Sequence, residues 1–442
     1  MIVEEITKLL PEPLITNDAV VFGLLALCLG GIFYTSSIKT GFWKKFYGIV
    51  PAVLLCYLLP AILVSLGIAA EEWHTLDELG NSTHHKSSLY YVASRYLLPA
   101  ALVLMTLSID LKAIVSLGSK ALIMFLTGSI GIIIGGPIAM LIVSIFSPET
   151  LDGHGFDEIW RGLATIAGSW IGGGANQTAM YEIFQYNPEK YGGMVLVDIV
   201  VANIWMAILL LGVGKTKAID KWLKADTSAI EKLKVTVTAF TEKITRVPTL
   251  KDYIMLLSFA FAAVGIAHFF GDYLSAYLSA NITAVGDQKN FLSFLGGKFF
   301  WMVVIATIVG VCLSFTKAKN YEGAGASKIG GVFIYILVAT IGMKMDLGRI
   351  LEKPGLIAIG LIWISIHAIL LIVVAKIIKA PFFFLAVGSQ ANVGGAASAP
   401  VVAAEFHPSL TSVGVLLAVF GYVVGTGGAL LCAYLMEVVS KL

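Results

Sequence analysis

Asp198 lies in the run GGMVLVDIVVAN, a carboxylate among residues otherwise fit for lipid. A charged side chain inside a span is costly and by default marks function, so Asp198 is a candidate to bind sodium or to carry a proton, with Asn203 five residues on. Neutralisation by a basic residue such as Arg95 is the competing reading. Upstream, the stretch GSWIGGGANQTAM places four glycines beside Asn176, Gln177 and Thr178. Unpaired backbone groups are not tolerated in hydrocarbon, so such a stretch must be a helix break buried in protein or beside a watery cavity. The break would expose the N–H groups and positive dipole end of a half-helix, which suit a carboxylate, together with carbonyl and side-chain oxygens, which suit sodium.

A second stretch of the same kind, GSQANVGGAASAP, follows in the other half of the chain. The two align without a gap: Gly168 and Ser169 meet Gly388 and Ser389, Gly174 meets Gly394, and Pro188 meets Pro408. A further pair agrees, SIDLKAI with Asp110 against KMDLGRI with Asp346, both aspartates being read as caps at span ends. An internal duplication follows. The candidate substrate-binding residues are Ser169, Gly173, Gly174, Asn176, Ser389, Asn392, Gly394 and Gly395. The candidate ion-coupling residues are Gln177, Thr178, Asp198, Asn203, Gln390 and Ser398, with sodium placed at Asn176, Thr178 and Asp198. Close helix packing by small residues is the competing reading; the adjacent amides and the matched copy favour a site.

The elements that must position these residues are membrane spans. Of 442 residues 58% are hydrophobic and only 13% charged, the composition of an integral membrane protein. Hydropathy marks twelve segments: 19–37, 47–70, 89–108, 120–146, 160–186, 191–214, 252–270, 291–315, 328–345, 355–378, 382–406 and 410–438. The fold class is therefore an all-α polytopic bundle of two repeats, 1–214 and 252–442, joined by a basic linker, 215–251, whose KTKAIDKWLKADTSAIEKLK reads as an amphipathic surface helix. The broken segments are 160–186 and 382–406. The N-terminal MIVEEITKLLPEP lacks the basic region and cleavage site of a signal peptide, so the first span is expected to be retained.

Lysines in the loop 38–46, the linker and 316–328 place those segments in the cytoplasm, and the acidic or neutral loops 71–88 and 147–159 outside. A fully crossing fifth segment would put the linker outside. A re-entrant hairpin corrects this, leaves five crossings per half and inverts the second half. Lys344, Arg349 and Lys353, in a loop that would then be external, stand against the rule. A fully crossing broken helix is the alternative.

Other chemistry is not supported. The net charge of +2 and the absence of a basic arm exclude a nucleic-acid partner. Cys28, Cys56, Cys312 and Cys432 lie in apolar stretches without CxxC spacing and read as packing residues. LLGVGKTK lacks the first glycine of a phosphate loop, and HTLDELGNSTHH lacks metal-ligand spacing and reads as a solvated external loop. His367 in WISIHAILL reads as a packed, hydrogen-bonded histidine, and Arg95 and Lys298 as residues close enough to span ends to snorkel. No enzyme activity and no cofactor beyond a coupling sodium ion or proton is expected.

GSWIGGGAN followed by LVDIVVANIW, with YLLPAALVLMTLSIDLKAI and GSQANVGGAASAP, resembles the YjcL-like membrane family of domain of unknown function 819, through nearly the whole chain. That family is similar in turn to the superfamily of cation–proton antiporters, bile-acid symporters and sodium–glutamate or sodium–citrate carriers. The resemblance implies a scaffold of 19–70 and 252–315, a mobile core of 89–214 and 328–442, elevator motion and a homodimer. The chain departs from proton antiporters in lacking their paired intramembrane aspartates, which lowers sodium–proton exchange and raises solute transport. The expected function is sodium-coupled symport of a small anionic or zwitterionic solute (amino acid, short peptide or organic acid) across the cell membrane, inner or plasma. A cation–proton antiporter and a non-transporting receptor or assembly subunit are the alternatives.

Overall fold

The computed structural model describes residues 13–38, 40–47, 50, 52–76, 82–107, 115, 117–228, 230, 247–286, 291–345, 347, 353, 355–407 and 410–442. Asp110, Asp346, Arg349 and Pro408, singled out from the sequence, lie outside the described residues.

The chain is helical throughout its apolar segments. The first half holds α1 (Asp18–Ser37), α2 (Gly41–Tyr47), α3 (Ala52–Ser65), a two-stranded β1 (Glu72–Leu76) and β2 (Ser82–Lys86), α4 (Leu89–Leu107), α5 (Ser119–Phe146), α6 (Ile159–Phe184) and α7 (Pro188–Val213). After α8 (Thr216–Leu223) in the linker come α9 (Leu250–Asn281), α10 (Lys298–Ser314), α11 (Ala326–Gly342), α12 (Gly355–Ile377), α13 (Phe382–Val393), α14 (Gly395–Phe406) and α15 (Thr411–Val439). Among the described residues seven helices are long and apolar enough to cross a bilayer, or nine if each of two bent pairs is one span.

Local chemistry sets the helix starts. Asn17 accepts from the first amides of α1, Asn187 caps α7 ahead of Pro188, and Thr249 with Asp252 closes a capping box on α9. With 32 residues, α9 is about 48 Å long and outruns the hydrocarbon core. Its end, GDYLSAYLSAN, is too polar to register as a span, which is why hydropathy stopped at 270.

The loop 71–88, read from the sequence as solvated and external, contains a hairpin. Glu72 to Leu76 pair antiparallel with Lys86 to Ser82, and His85 stacks on Trp73 with ring centroids 5.6 Å apart. In this exposed hairpin the Lys86 ammonium holds the Glu72 carboxyl below its ordinary range.

Two faces can be traced. The β-hairpin face carries the start of α1, where Asp18 accepts from Ser87 Oγ at 2.7 Å, and the loop 147–158. The linker face carries Lys120 at the start of α5, which reaches Asp226 and the carbonyl of Lys379. Two of the three basic residues that defied charge counting have partners: Lys344 lies 3.3 Å from Glu71, and Lys353 reaches the carbonyls of Glu149 and Thr150 at 3.4 Å each.

α4 and α11 pack chiefly outside the broken segments. α4 lies on α9, α10 and α11, and α11 also packs on α3, while α5, α6, α7, α12, α13, α14 and α15 pack on one another. By packing, 89–107 and 326–342 lie chiefly against the early spans of each half. The reason is steric: α4 and α11 face each other through small residues, as where Gly330 meets Met105 and the Ala101 carbonyl.

If the positive-inside expectation holds, a cysteine replacing exposed Thr83 is labelled by a membrane-impermeant maleimide on intact cells, and one replacing exposed Lys224 only after permeabilisation. The opposite pattern would reverse the orientation.

Candidate functional site

α6 folds back on itself. In a straight helix residues 161 and 184 would stand about 35 Å apart. Instead Arg161 Nη1 donates to the Phe184 carbonyl at 3.0 Å, and the rings of Trp160 and Phe184 lie 5.3 Å apart. The chain turns at Gly173, with φ 71° and ψ −174°, a conformation open essentially to glycine alone. Gly168 lets the arms close, since a Cβ there would lie 2.6 Å from the Asn176 carbonyl oxygen.

α13 and α14 form a second hairpin. Phe382 and Phe383 at its start pack against Phe406 at its end, with centroids 5.7 and 5.3 Å apart, and Gly395 turns with φ 55°. The hairpins enter from opposite faces. The base of the first holds Asp157 to Asn187 and Lys190 on the β-hairpin face, and the base of the second holds the Phe382 amide to Asp220 of α8 at 2.7 Å. Partial burial raises the Asp220 carboxyl above its ordinary range, with the Phe382 N–H pulling the other way. The tips meet: a Cβ on Gly395 would stand 3.6 Å from Gly173 Cα. Gly174 is exposed at this junction.

Asp198 of α7 binds the two arms of the first hairpin together. Its Oδ2 accepts from Ser169 Oγ and Gln177 Nε2 at 2.8 Å each, and its Oδ1 from Trp170 Nε1 at 2.7 Å. Three donors thus satisfy one buried carboxylate without a basic partner. Seven residues on, where α7 presents the same face, Trp205 donates to Ser389 Oγ of the second hairpin at 2.7 Å. His367 continues the chain: its Nδ1 lies 2.9 Å from the Gly128 carbonyl and its Nε2 2.8 Å from Ser389 Oγ. Since a carbonyl only accepts, Nδ1 carries the proton, and Ser389 donates to Nε2. The packed histidine expected from the sequence is what this network contains.

Asn176 and Asn392 do the same work on the two hairpins. Asn176 Nδ2 donates to the Gly172 carbonyl at 2.9 Å and the Tyr422 carbonyl at 3.4 Å, while its Oδ1 accepts from Thr426 Oγ1 at 2.6 Å. Asn392 Nδ2 donates to the Gly388 and Phe125 carbonyls at 2.9 Å each, while its Oδ1 accepts from Ser129 Oγ at 2.7 Å. Each amide ties its hairpin to a flanking helix, α15 or α5, and each is fully buried. They act here as locks that position the tips.

The remaining candidates divide. Gln390 and Ser398 join the arms of the second hairpin, Nε2 to Oγ at 2.7 Å, beside Gly394. Thr178 bonds back to the Gly174 and Ala175 carbonyls, and Asn203 to the Ile199 carbonyl, so neither joins the network at Asp198. Asn176 and Thr178 flank Gln177, and neighbours along a helix point apart. With Gln177 on Asp198, the expected sodium trio of Asn176, Thr178 and Asp198 is not gathered at one point. Among the described residues no three His, Cys, Asp or Glu side chains form a metal cluster.

Arg95 is not paired with Asp198. It sits in a π-helical turn of α4, donates to Glu182 Oε2 at 2.6 Å and lies over the Phe299 ring at 4.5 Å. Lys298 pairs at the surface with Asp272, 3.2 Å away. Trp170, Glu182, Trp205 and Thr426 were missed in the sequence. A tryptophan within a hairpin and a glutamate near its end carry no motif, and only the fold reveals their partners. Arg95→Ala would strand Glu182 and is expected to cost about 2 kcal/mol, the low side for a broken buried pair because Arg95 is 30% exposed. Thermal melting in detergent measures it.

Over residues 22–439 the chain matches the family model described as protein of unknown function (DUF819). It is 24% identical over 351 residues, 77% of this chain and 82% of the relative, to the uncharacterized membrane protein YjcL of Bacillus subtilis (strain 168).

Proposed function

The chain belongs to the DUF819 family of membrane proteins, and from that premise we propose that it is a secondary active transporter of a small carboxylate-bearing solute, coupled to sodium. One observation carries the reading: two half-helix hairpins enter from opposite faces and meet tip to tip at Gly173 and Gly395, with Gly174 exposed beside them. Irregular backbone at this depth exposes amides and carbonyls that a solute and an ion can take up.

The packing supports an alternating-access reading. The group α5, α6, α7 and α12 to α15 holds both tips, and the group with α4, α10 and α11 flanks it. Moving the first against the second carries the site between faces, the elevator motion of the superfamily with which the family is compared. Arg95 with Glu182 crosses this boundary, so each cycle breaks and remakes that pair.

The test is uptake by proteoliposomes from a panel of labelled amino acids, peptides and organic acids, with and without an inward sodium gradient. Sodium-stimulated uptake of one class is expected. Cation–proton antiport is the second reading, favoured by the buried carboxylate of Asp198, which is held by neutral donors alone. It requires sodium-driven proton flux in the same vesicles with no organic solute present.

A further inference from the structure

We propose that the solute held at the tips is a zwitterion with a single carboxylate, an amino acid or short peptide, whose ammonium group is received by the side-chain oxygen of Gln390. The proposal rests on the transport reading above and narrows its substrate.

The donor side is backbone. The arm that starts at Gly174 and the twelve-residue α14 that starts at Gly395 both begin at the junction, and the first amides of a helix have no partner within it. Those amides and the positive end of each helix dipole suit one carboxylate.

The acceptor side is Gln390. Its side chain is 1% exposed, its Nε2 is committed to Ser398 Oγ, and its Oε1 has no hydrogen-bond partner. Buried carbonyl oxygens are nearly always paired, so an unpaired one marks a place for a donor that arrives from outside. The amide lies at the tip: Nε2 is 2.3 Å from where a Cβ on Gly394 would stand. An N–H donor of the solute, brought in by its carboxylate at the amides of α14, fills that vacancy.

The charge inventory sets the class. In α5, α6, α7 and α12 to α15 the lysines and arginines are Lys120, Arg161, Lys190 and Lys376, each in the first or last turn of its helix, and the mid-helix His367 is neutral, with Nε2 accepting from Ser389. Three of the four terminal cations are paired there with Asp226, Glu158 and Asp157. These helices therefore bring no cationic side chain to the depth of the tips, whereas Asp198 brings a carboxylate to the first hairpin. A di- or tricarboxylate would add negative charges that helix ends alone do not balance. A zwitterion adds none, and its ammonium answers Oε1.

The experiment is calorimetric titration of the purified full chain with the twenty proteinogenic amino acids, each beside its decarboxylated amine and its deaminated acid, with succinate and citrate as multiply charged acids. The expected result is that an amino acid binds and that its amine and its deaminated acid bind at least tenfold more weakly. Gln390→Leu should weaken the amino acid at least tenfold and leave the deaminated acid within about twofold, whereas Gln390→Glu, which keeps an acceptor, retains amino-acid binding. Equal or tighter binding of a deaminated acid, succinate or citrate overturns the proposal, as does an unchanged affinity in Gln390→Leu or a panel in which nothing binds. The ligand comparison on the unsubstituted chain stands even where a variant fails to fold. Uptake of an acid without an amino group would reject the zwitterion and keep transport; absence of any solute or ion flux would reject transport itself.

Discussion

Replacing Asp198 with alanine is expected to cost about 3–6 kcal/mol of stability and to abolish uptake. The substitution leaves Ser169 Oγ, Trp170 Nε1 and Gln177 Nε2 as donors without their acceptor. Each buried donor left unmade costs about 1–3 kcal/mol. Removing the carboxylate also relieves its own burial, which keeps the total below the largest sum. Because the three donors lie on both arms of the first hairpin, their loss lets the arms part and the tip at Gly173 drift from Gly395. Asp198→Asn separates structure from coupling. Its remaining oxygen accepts where Oδ2 did, and its new N–H group faces a donor, so roughly half the stability loss is expected. If the carboxylate couples transport to an ion, the asparagine variant still binds solute but loses its dependence on the sodium gradient. Full gradient-driven uptake in Asp198→Asn would assign the carboxylate to scaffolding alone. Melting curves and paired uptake assays with and without sodium read the two effects independently.

The parts of this site that were legible in the sequence are those written in backbone. Glycine runs too polar for lipid announced the breaks, and the uneven distribution of lysines favoured a first break that turns back on itself over one that crosses; Arg161 lies against Phe184. Side-chain roles were less legible because partners come from helices far away in the chain. Gly168 and Gly388 align with each other, but the locking amides Asn176 and Asn392 do not, since one follows its turn and the other precedes it. They converge on one hydrogen-bond pattern only because Thr426 and Ser129 wait on α15 and α5. The same distance hid the pairing of Arg95, for which Asp198 was the nearest acid by reputation and Glu182 the acid that the fold supplies.

Substituting the two turning glycines should strain both turns, since both have positive φ, but to different degrees. Gly173, at φ 71° and ψ −174°, lies in the region that only glycine populates, at a cost of about 1–3 kcal/mol for any other residue. A Cβ there would also come to 3.4 Å from the Tyr422 ring edge, so the cost is conformational. Gly173→Ala is therefore expected to straighten or displace the tip. Uptake should fall to background, with melting lowered by a few degrees. Gly395, at φ 55°, lies where asparagine is several-fold enriched, and a Cβ there meets Gly173 Cα at an ordinary 3.6 Å. Gly395→Asn should then fold and keep measurable uptake, and Gly395→Ala should do worse than Gly395→Asn. That order separates conformation from crowding: crowding alone would make the larger asparagine the more damaging. A Gly173→Ala protein that transports normally would show that the first hairpin turns without its glycine, and the tip-to-tip site would lose its foundation.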